Sequence, residues 1–173
     1  MLVDGQPLVS RVAQRIGAAC SPVLLAPGWP GRLGTLAFIE IGDAAPGAGP
    51  LGGIVAGLAA APHHLIAVVA VDMPFASAAL LTLLASLSDG VDAVVPVTDM
   101  GHQPLHAVYA RSALPSLRAA LQDGRLGVRS AVAGLRVREV QFAEWRAADP
   151  SGRFAININR TDDLGSLSLQ SLG

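Results

Sequence analysis

The chain has 173 residues, of which 51% are hydrophobic and 14% charged, and its formal net charge is −1. That length fits a single domain large enough to bury a core, and the lack of a basic excess excludes a nucleic-acid-binding surface. The single cysteine, Cys20, excludes an intramolecular disulfide and a cysteine-rich zinc site. There is no lysine, so a charged side chain of this chain that contacts a phosphate must be an arginine.

The pattern of apolar residues predicts strands alternating with helices. Helical spacing and runs of small residues predict helices over 8–19, 51–61, 77–87, 112–121 and 128–133. Apolar runs rich in β-branched residues predict strands over 22–26, 35–41, 65–71, 93–97, 105–109 and 135–142. Strands separated by helices indicate an α/β fold with a mainly parallel sheet in a single domain. The longest apolar region, 51–71, is interrupted by Pro62, His63 and His64, so we expect no membrane span and a cytoplasmic protein.

Asp72 is the polar residue that the sequence places most clearly. It ends the uninterrupted apolar run 65–71, which is typical of a strand buried on both faces of a parallel sheet. Ligands of open α/β sheets bind at the carboxyl ends of strands, where a carboxylate can hold Mg²⁺. The alternative is a helix N-cap, because Pro74 follows two residues later. The residues alone favour the two readings equally.

Three other stretches carry candidate side chains. The helix of small residues predicted at 51–61 follows a Gly/Pro loop. The free N–H groups at its start could bind an anion or a base edge, or its glycines could serve only close packing. His102 and His106 would share one face of a strand, but a zinc site lacks a third ligand there. Asn157 and Asn159 alternate on a short extended segment, where they could bind a ligand or stabilise a turn. Together these residues are compatible with a nucleotide-handling enzyme that uses a divalent cation.

Five segments in order resemble the molybdenum cofactor guanylyltransferases. They are Asp4-Gly5-Gln6-Pro7-Leu8, Asp43 ahead of Gly49-Pro50-Leu51-Gly52-Gly53-Ile54, Asp72-Met73-Pro74-Phe75, His102-Gln103-Pro104-Leu105-His106-Ala107-Val108-Tyr109 and Ile156-Asn157-Ile158-Asn159-Arg160-Thr161-Asp162-Asp163-Leu164. The resemblance implies a three-layer, Rossmann-like nucleotidyltransferase fold of the GT-A-like class. It also implies transfer of GMP from GTP to molybdenum-carrying molybdopterin, with release of pyrophosphate. The partners it implies are GTP, the pterin cofactor and other cofactor-biosynthesis proteins or a molybdoenzyme chaperone.

The same resemblance assigns roles to individual residues. Asp72 is implied to be the catalytic Mg²⁺ ligand, and Asp43 to contact the guanine nucleotide. The residues implied to lie against the base and ribose are Gly49, Pro50, Leu51, Gly52 and Gly53. Those implied to face the pterin or its phosphate are His102, Gln103, Arg125, Arg129, Asn157 and Asn159.

One departure from the family pattern concerns its opening. The family begins with a strand and a Leu-Ala-Gly-Gly-x-Ser-x-Arg-Met-Gly-x-Asp-Lys loop that binds the triphosphate, and this sequence begins where that loop ends. We therefore expect a gap in the centre of the sheet, low stability and no GMP transfer by the chain as written. A true start further upstream is the expectation we favour. The alternatives are an inactive remnant that only binds the pterin or a partner protein, and a cytidylyltransferase relative.

Overall fold

The structure is a computed structural model that describes residues 2–3, 5–28, 38–45 and 47–158. Its first elements are β1 (Leu2–Val3), β2 (Gln6–Pro7), α1 (Leu8–Ile16), β3 (Leu24–Leu25), β4 (Ile39–Glu40), α2 (Pro50–Ala60), β5 (Leu65–Val69) and α3 (Ala78–Ser86). The later ones are β6 (Ala93–Thr98), β7 (Gly101–His102), β8 (His106–Ala110), α4 (Leu114–Gln122), α5 (Val128–Val132), β9 (Val137–Val140) and α6 (Phe142–Trp145). Two 3₁₀ turns span Arg111–Ala113 and Arg153–Ala155.

The described part of the main sheet has three strands that share a direction and two reversed strands, β7 and β8. β8 pairs antiparallel with β5 on one side and with β6 on the other, and β6 pairs in parallel with β9. β5, β6 and β9 therefore run the same way, and their carboxyl ends lie at one edge. β7 returns antiparallel along the end of β6 at that edge. β3 and β4 form a separate parallel pair.

Helices cover both faces of the sheet, which gives the three layers expected. Alternate residues of a strand point to opposite faces, so Val95 and Tyr109 pack with α2 and α4 while Val94 and Val108 pack with α3. The first of these clusters also contains α5 residues, and the second contains Trp145 and Phe154. The prediction of a three-layer α/β sandwich is confirmed at this level.

β5 is less buried than its sequence predicts. All five of its residues are only partly buried, although none is polar. The cause is a cavity of about 800 Å³ that separates β5 from β3 and is walled by α2 and α3. In the described part of the chain no strand pairs with that side of β5. The gap in the centre of the sheet that the resemblance implies is therefore present among these residues.

Candidate functional site

Asp72 lies where the chain leaves β5, and its environment favours a ligand over a helix cap. Its Oδ1 is buried and has no hydrogen-bond partner within the described residues. Burial raises the pKa of this carboxyl, against a smaller lowering effect from its own backbone N–H. The N-cap of α3 is Ser77, whose Oγ accepts from the Leu80 N–H at 3.3 Å. The N-cap reading of Asp72 is therefore wrong.

The segment that carries Asn157 runs beside Asp72. The Ile158 N–H donates to the Asp72 backbone C=O at 2.8 Å, and Ile158 itself is buried. Asn157 is exposed next to this contact, so its amide is available to a ligand at the same edge. Asn159 lies outside the residues that the structure describes.

Asp43 and the start of α2 form a second polar group. The Asp43 carboxylate lies against the Cα of Gly52, so close that a Cβ on Gly52 would stand 2.1 Å from Oδ1. Gly49 has φ 64° and precedes Pro50, the first residue of α2, whose opening N–H groups receive no side-chain cap. Asp43, Gly49, Pro50 and Gly53 line the same cavity as β5. Leu51 differs, because its side chain is fully buried in the core and only its backbone could face a nucleotide.

Three of the residues expected at the pterin surround the β6–β7 hairpin. His102 is exposed, and its Nε2 lies 2.7 Å from Glu139 Oε1. The Gln103 amide nitrogen donates to Thr98 Oγ1 at 2.9 Å and to the Gly101 carbonyl at 3.1 Å. Both of its N–H donors are therefore used within the hairpin. Arg129 reaches the Met100 carbonyl at 3.4 Å. β5 and β6 end at the same edge, so this hairpin and Asp72 lie on one side of the sheet.

Arg125 is not brought to the hairpin by any contact of its own. It pairs instead with Asp123 at 3.1 Å on the surface. His102 and His106 lie on different strands, β7 and β8. On one strand the two would have shared a face, and the structure does not have that arrangement.

Near Asp72, the side chains of His106, Phe154 and Arg153 make contacts that the sequence did not predict. His106 is fully buried, and its Nε2 accepts from the Ser77 N–H at 3.0 Å. Its ring packs against Phe154 with centroids 4.9 Å apart. Arg153 lies over the Phe75 ring at 3.8 Å. These contacts join residues far apart in sequence, so no local spacing could have predicted them.

The described residues contain no group of three or more His, Cys, Asp or Glu side chains placed to hold a metal ion. Mg²⁺ commonly takes one or two carboxylates and completes its shell with phosphate oxygens and water. A single buried carboxylate oxygen without a partner, as in Asp72, fits that mode. None of the described helices is long and apolar enough to cross a membrane.

Comparison with known proteins identifies relatives along most of the chain. The MobA-like NTP transferase domain family matches residues 1–140. A molybdenum cofactor guanylyltransferase from Desulfosudis oleivorans is 32% identical over 165 residues, which cover 94% of this chain and 81% of that protein.

Two solved structures share the fold. Molybdopterin-guanine dinucleotide biosynthesis protein A from Archaeoglobus fulgidus superposes with a TM-score of 0.83 at 26% identity, covering 99% of this chain and 89% of its own. The 2-C-methyl-D-erythritol 4-phosphate cytidylyltransferase from Thermus thermophilus reaches a TM-score of 0.64 at 19% identity, covering 98% of this chain and 91% of its own. The second similarity concerns the fold alone.

Proposed function

The chain belongs to the MobA-like NTP transferase domain family, and we propose that it transfers GMP from GTP to molybdopterin that carries molybdenum. The products are the guanine dinucleotide form of the cofactor and pyrophosphate. The names of the Desulfosudis and Archaeoglobus relatives support this choice of substrates. The observation that carries it is the Oδ1 of Asp72 at the carboxyl end of β5, which is buried and has no hydrogen-bond partner among the described residues.

We assign Asp72 as the residue that holds Mg²⁺. A buried carboxylate that lacks a hydrogen-bond donor is unfavourable by itself and becomes favourable when a cation neutralises it. Bound there, Mg²⁺ would offset the charge that develops as the terminal phosphate of the pterin attacks the α-phosphorus of GTP and pyrophosphate leaves. The Ile158 N–H, by bonding the Asp72 carbonyl, fixes the strand end from which the carboxylate projects.

The remaining roles divide between two parts of the site. Asp43 accepts hydrogen bonds from the guanine base, whose N1–H and N2–H₂ are donors, while the start of α2 from Gly49 to Gly53 lies against base and ribose. Gly52 permits this because its missing Cβ leaves room for the Asp43 carboxylate. His102, Arg129 and Asn157 face the pterin from the carboxyl edge, and the family resemblance alone assigns Asn159 to the pterin. Gln103 acts indirectly by holding the hairpin that presents His102.

The test is a turnover assay on the full chain. Purified protein is incubated with GTP, Mg²⁺ and molybdenum-carrying molybdopterin, and both pyrophosphate and the dinucleotide product are measured. The departure from the family's opening loop led us to expect no GMP transfer, whereas the proposal predicts it. Formation of both products in equal amounts with GTP, and not with CTP, would therefore support the proposal over that expectation. Dependence on CTP instead of GTP would assign the chain to the cytidylyltransferases.

A binding role without turnover is the second candidate. The observation that favours it is the open side of β5, because the described residues place no triphosphate-binding loop beside Asp72. This candidate predicts saturable binding of the pterin with no GTP-dependent release of pyrophosphate. One pterin titration run beside the turnover assay therefore separates the two functions.

A further inference from the structure

The pair formed by Arg153 and Phe75 is a charged feature of the site to which no function has been assigned. The guanidinium carbon of Arg153 lies 3.8 Å from the centre of the Phe75 ring. Both side chains are partly buried. Stacking occupies one face of the planar guanidinium, and no carboxylate or carbonyl among the described residues accepts a hydrogen bond from its edge. The N–H donors of Arg153 therefore stay available to a ligand.

Both halves of this pair are anchored next to Asp72. Phe75 belongs to the loop between Asp72 and Ser77, and the far end of that loop is held by the bond from the Ser77 N–H to His106. Arg153 precedes Phe154, which is fully buried against the His106 ring. The same segment continues to Ile158, whose N–H bonds the Asp72 carbonyl. The position of the guanidinium relative to the Asp72 carboxylate is thus set by contacts at both ends.

Other arginines expected near the substrate are engaged elsewhere. Arg125 pairs with Asp123, and Arg129 donates to the Met100 carbonyl. Arg15, which also reaches this loop, uses its Nε to bond the Ala76 carbonyl. A chain without lysine needs arginine for charged phosphate contacts, and a stacked guanidinium loses little freedom when it binds.

We propose that Arg153 binds a phosphate group of a substrate at the Asp72 edge, through the free edge of a guanidinium that Phe75 holds in place. This inference rests on the proposed nucleotidyl transfer and adds a phosphate-contacting residue to it. The phosphate has two possible sources: the triphosphate of GTP, part of which leaves as pyrophosphate, and the terminal phosphate of the pterin. A planar guanidinium can bind either phosphate through two parallel hydrogen bonds.

The experiment measures binding of three probes to the full chain in the presence of Mg²⁺: GTP, inorganic pyrophosphate and the pterin substrate. The variants are Arg153→Met, which keeps the length of the side chain, and Arg153→Lys, which keeps its charge. Arg146→Met is the matched control, because Arg146, the residue that follows α6, also lies over a ring, that of Phe142 at 6.0 Å. Phe75→Leu removes the stacking surface and leaves the arginine. Thermal melts confirm that each variant is folded.

We expect Arg153→Met to weaken binding of at least one probe by about 10- to 100-fold, the range for losing a charge-assisted hydrogen bond. Arg153→Lys and Phe75→Leu should weaken it less, and Arg146→Met should leave it unchanged. Weaker GTP and pyrophosphate binding assigns Arg153 to the triphosphate, and weaker pterin binding alone assigns it to the pterin phosphate.

Three results would overturn the inference: a folded Arg153→Met that binds every probe like the wild type, an equal loss in Arg146→Met, or a wild type that binds none of the probes. A wild type that binds phosphate through Arg153 but never releases pyrophosphate from GTP would refute the proposed function and leave this inference standing.

Discussion

The Nε2 atom of His106 accepts a 3.0 Å hydrogen bond from the backbone N–H of Ser77, the residue that caps α3. A neutral imidazole has one donor and one acceptor, so the proton is on Nδ1. Nδ1 is buried, and no group within the described residues accepts from it. Burial lowers the pKa of His106 to about 4, more than the nearby Asp149 raises it. The loop that carries Asp72 therefore depends on an uncharged histidine.

This dependence predicts a loss of stability in mild acid. The folded-state pKa of His106 lies below its ordinary value of 6.5, so the unfolded chain takes up the proton first. The contribution of the neutral ring is complete above about pH 6.5 and declines toward pH 4, by up to about 1.4 kcal/mol per pH unit. His106→Leu should abolish this part of the slope when free energies of unfolding in urea are compared at several pH values. Equal slopes in the two proteins would contradict the prediction.

A paired substitution separates the hydrogen bond from the volume of the ring. Both His106→Leu and His106→Gln fill much of the same space, but only glutamine offers an acceptor to the Ser77 N–H. We expect the leucine variant to be less stable than the glutamine variant by about 1–2 kcal/mol at neutral pH, since it leaves a buried N–H without a partner. Hydrogen exchange at the Ser77 amide provides an independent measurement, and it should be faster in the leucine variant alone.

Asp72→Asn should stabilise the chain while removing its activity. Burial raises the pKa of Asp72, so above that pKa the folded state carries the cost of a desolvated charge. The gain in the melting temperature should therefore be present at neutral pH and vanish in acid, where both states of the wild type are protonated. GMP transfer should fall about a thousand-fold, because a metal contributes several kcal/mol and each 1.4 kcal/mol is tenfold. A variant that is less stable at neutral pH would argue against a strained, ligand-free carboxylate.

Periodic patterns were sufficient to predict most elements, and their failures have local causes. The helix predicted at 51–61 begins one residue earlier, because Pro50 occupies the first helical position that its fixed φ favours. The strand predicted to extend to residue 142 ends at Val140, because Gln141 and Glu144 form a capping box that starts α6.

The candidate site was predictable only in part. Asp72, Asp43 and the glycines around Gly52 follow from strand ends and from the resemblance. The stacking of Arg153 on Phe75 and the bond between His106 and Ser77 do not, because each depends on how separate segments of the chain meet in the fold. The partial burial of β5 could not be predicted either. An apolar run predicts a fully buried strand only if strands pair with it on both sides, and the sequence does not show whether they do.

Asp92 should be a main polar support of the fold. Its carboxylate accepts from Ser112 Oγ and from both the backbone and the side chain of Arg136. The hydrogen bonds from Arg136, foremost among these contacts, hold its pKa well below the ordinary value of 3.8. Asp92→Asn should cost about 2 kcal/mol at neutral pH, the range for hydrogen bonds to a charged group.

The pH dependence of stability and a control variant test whether the hydrogen bonds of the charged Asp92 carboxylate cause this loss. A lowered pKa gives stability that is complete above the unfolded value near 3.8 and is lost as the pH falls through the folded one, so the two proteins should converge only in strong acid. Asp123→Asn removes the exposed pair with Arg125 and should change the free energy of unfolding by less than about 0.5 kcal/mol. A similar loss in both variants would show that net charge, and not the hydrogen bonds of Asp92, is responsible.

Gly52→Ala tests whether the Asp43 carboxylate must lie against α2 for the nucleotide to bind. The new Cβ would stand 2.1 Å from Oδ1 and 2.9 Å from Cγ of Asp43, so the carboxylate has to swing away. We expect GTP to bind about 10-fold more weakly, because a hydrogen bond to a charged acceptor is lost. The helix itself should gain up to about 1 kcal/mol, since alanine is a better helix former than glycine.

Gly57→Ala is the matched control: it makes the same change in the same helix, and its Cβ meets only the end of Ile66 at 3.3 Å. Isothermal titration with GTP should therefore distinguish the two alanine variants, and equal affinities would remove Asp43 from the nucleotide site.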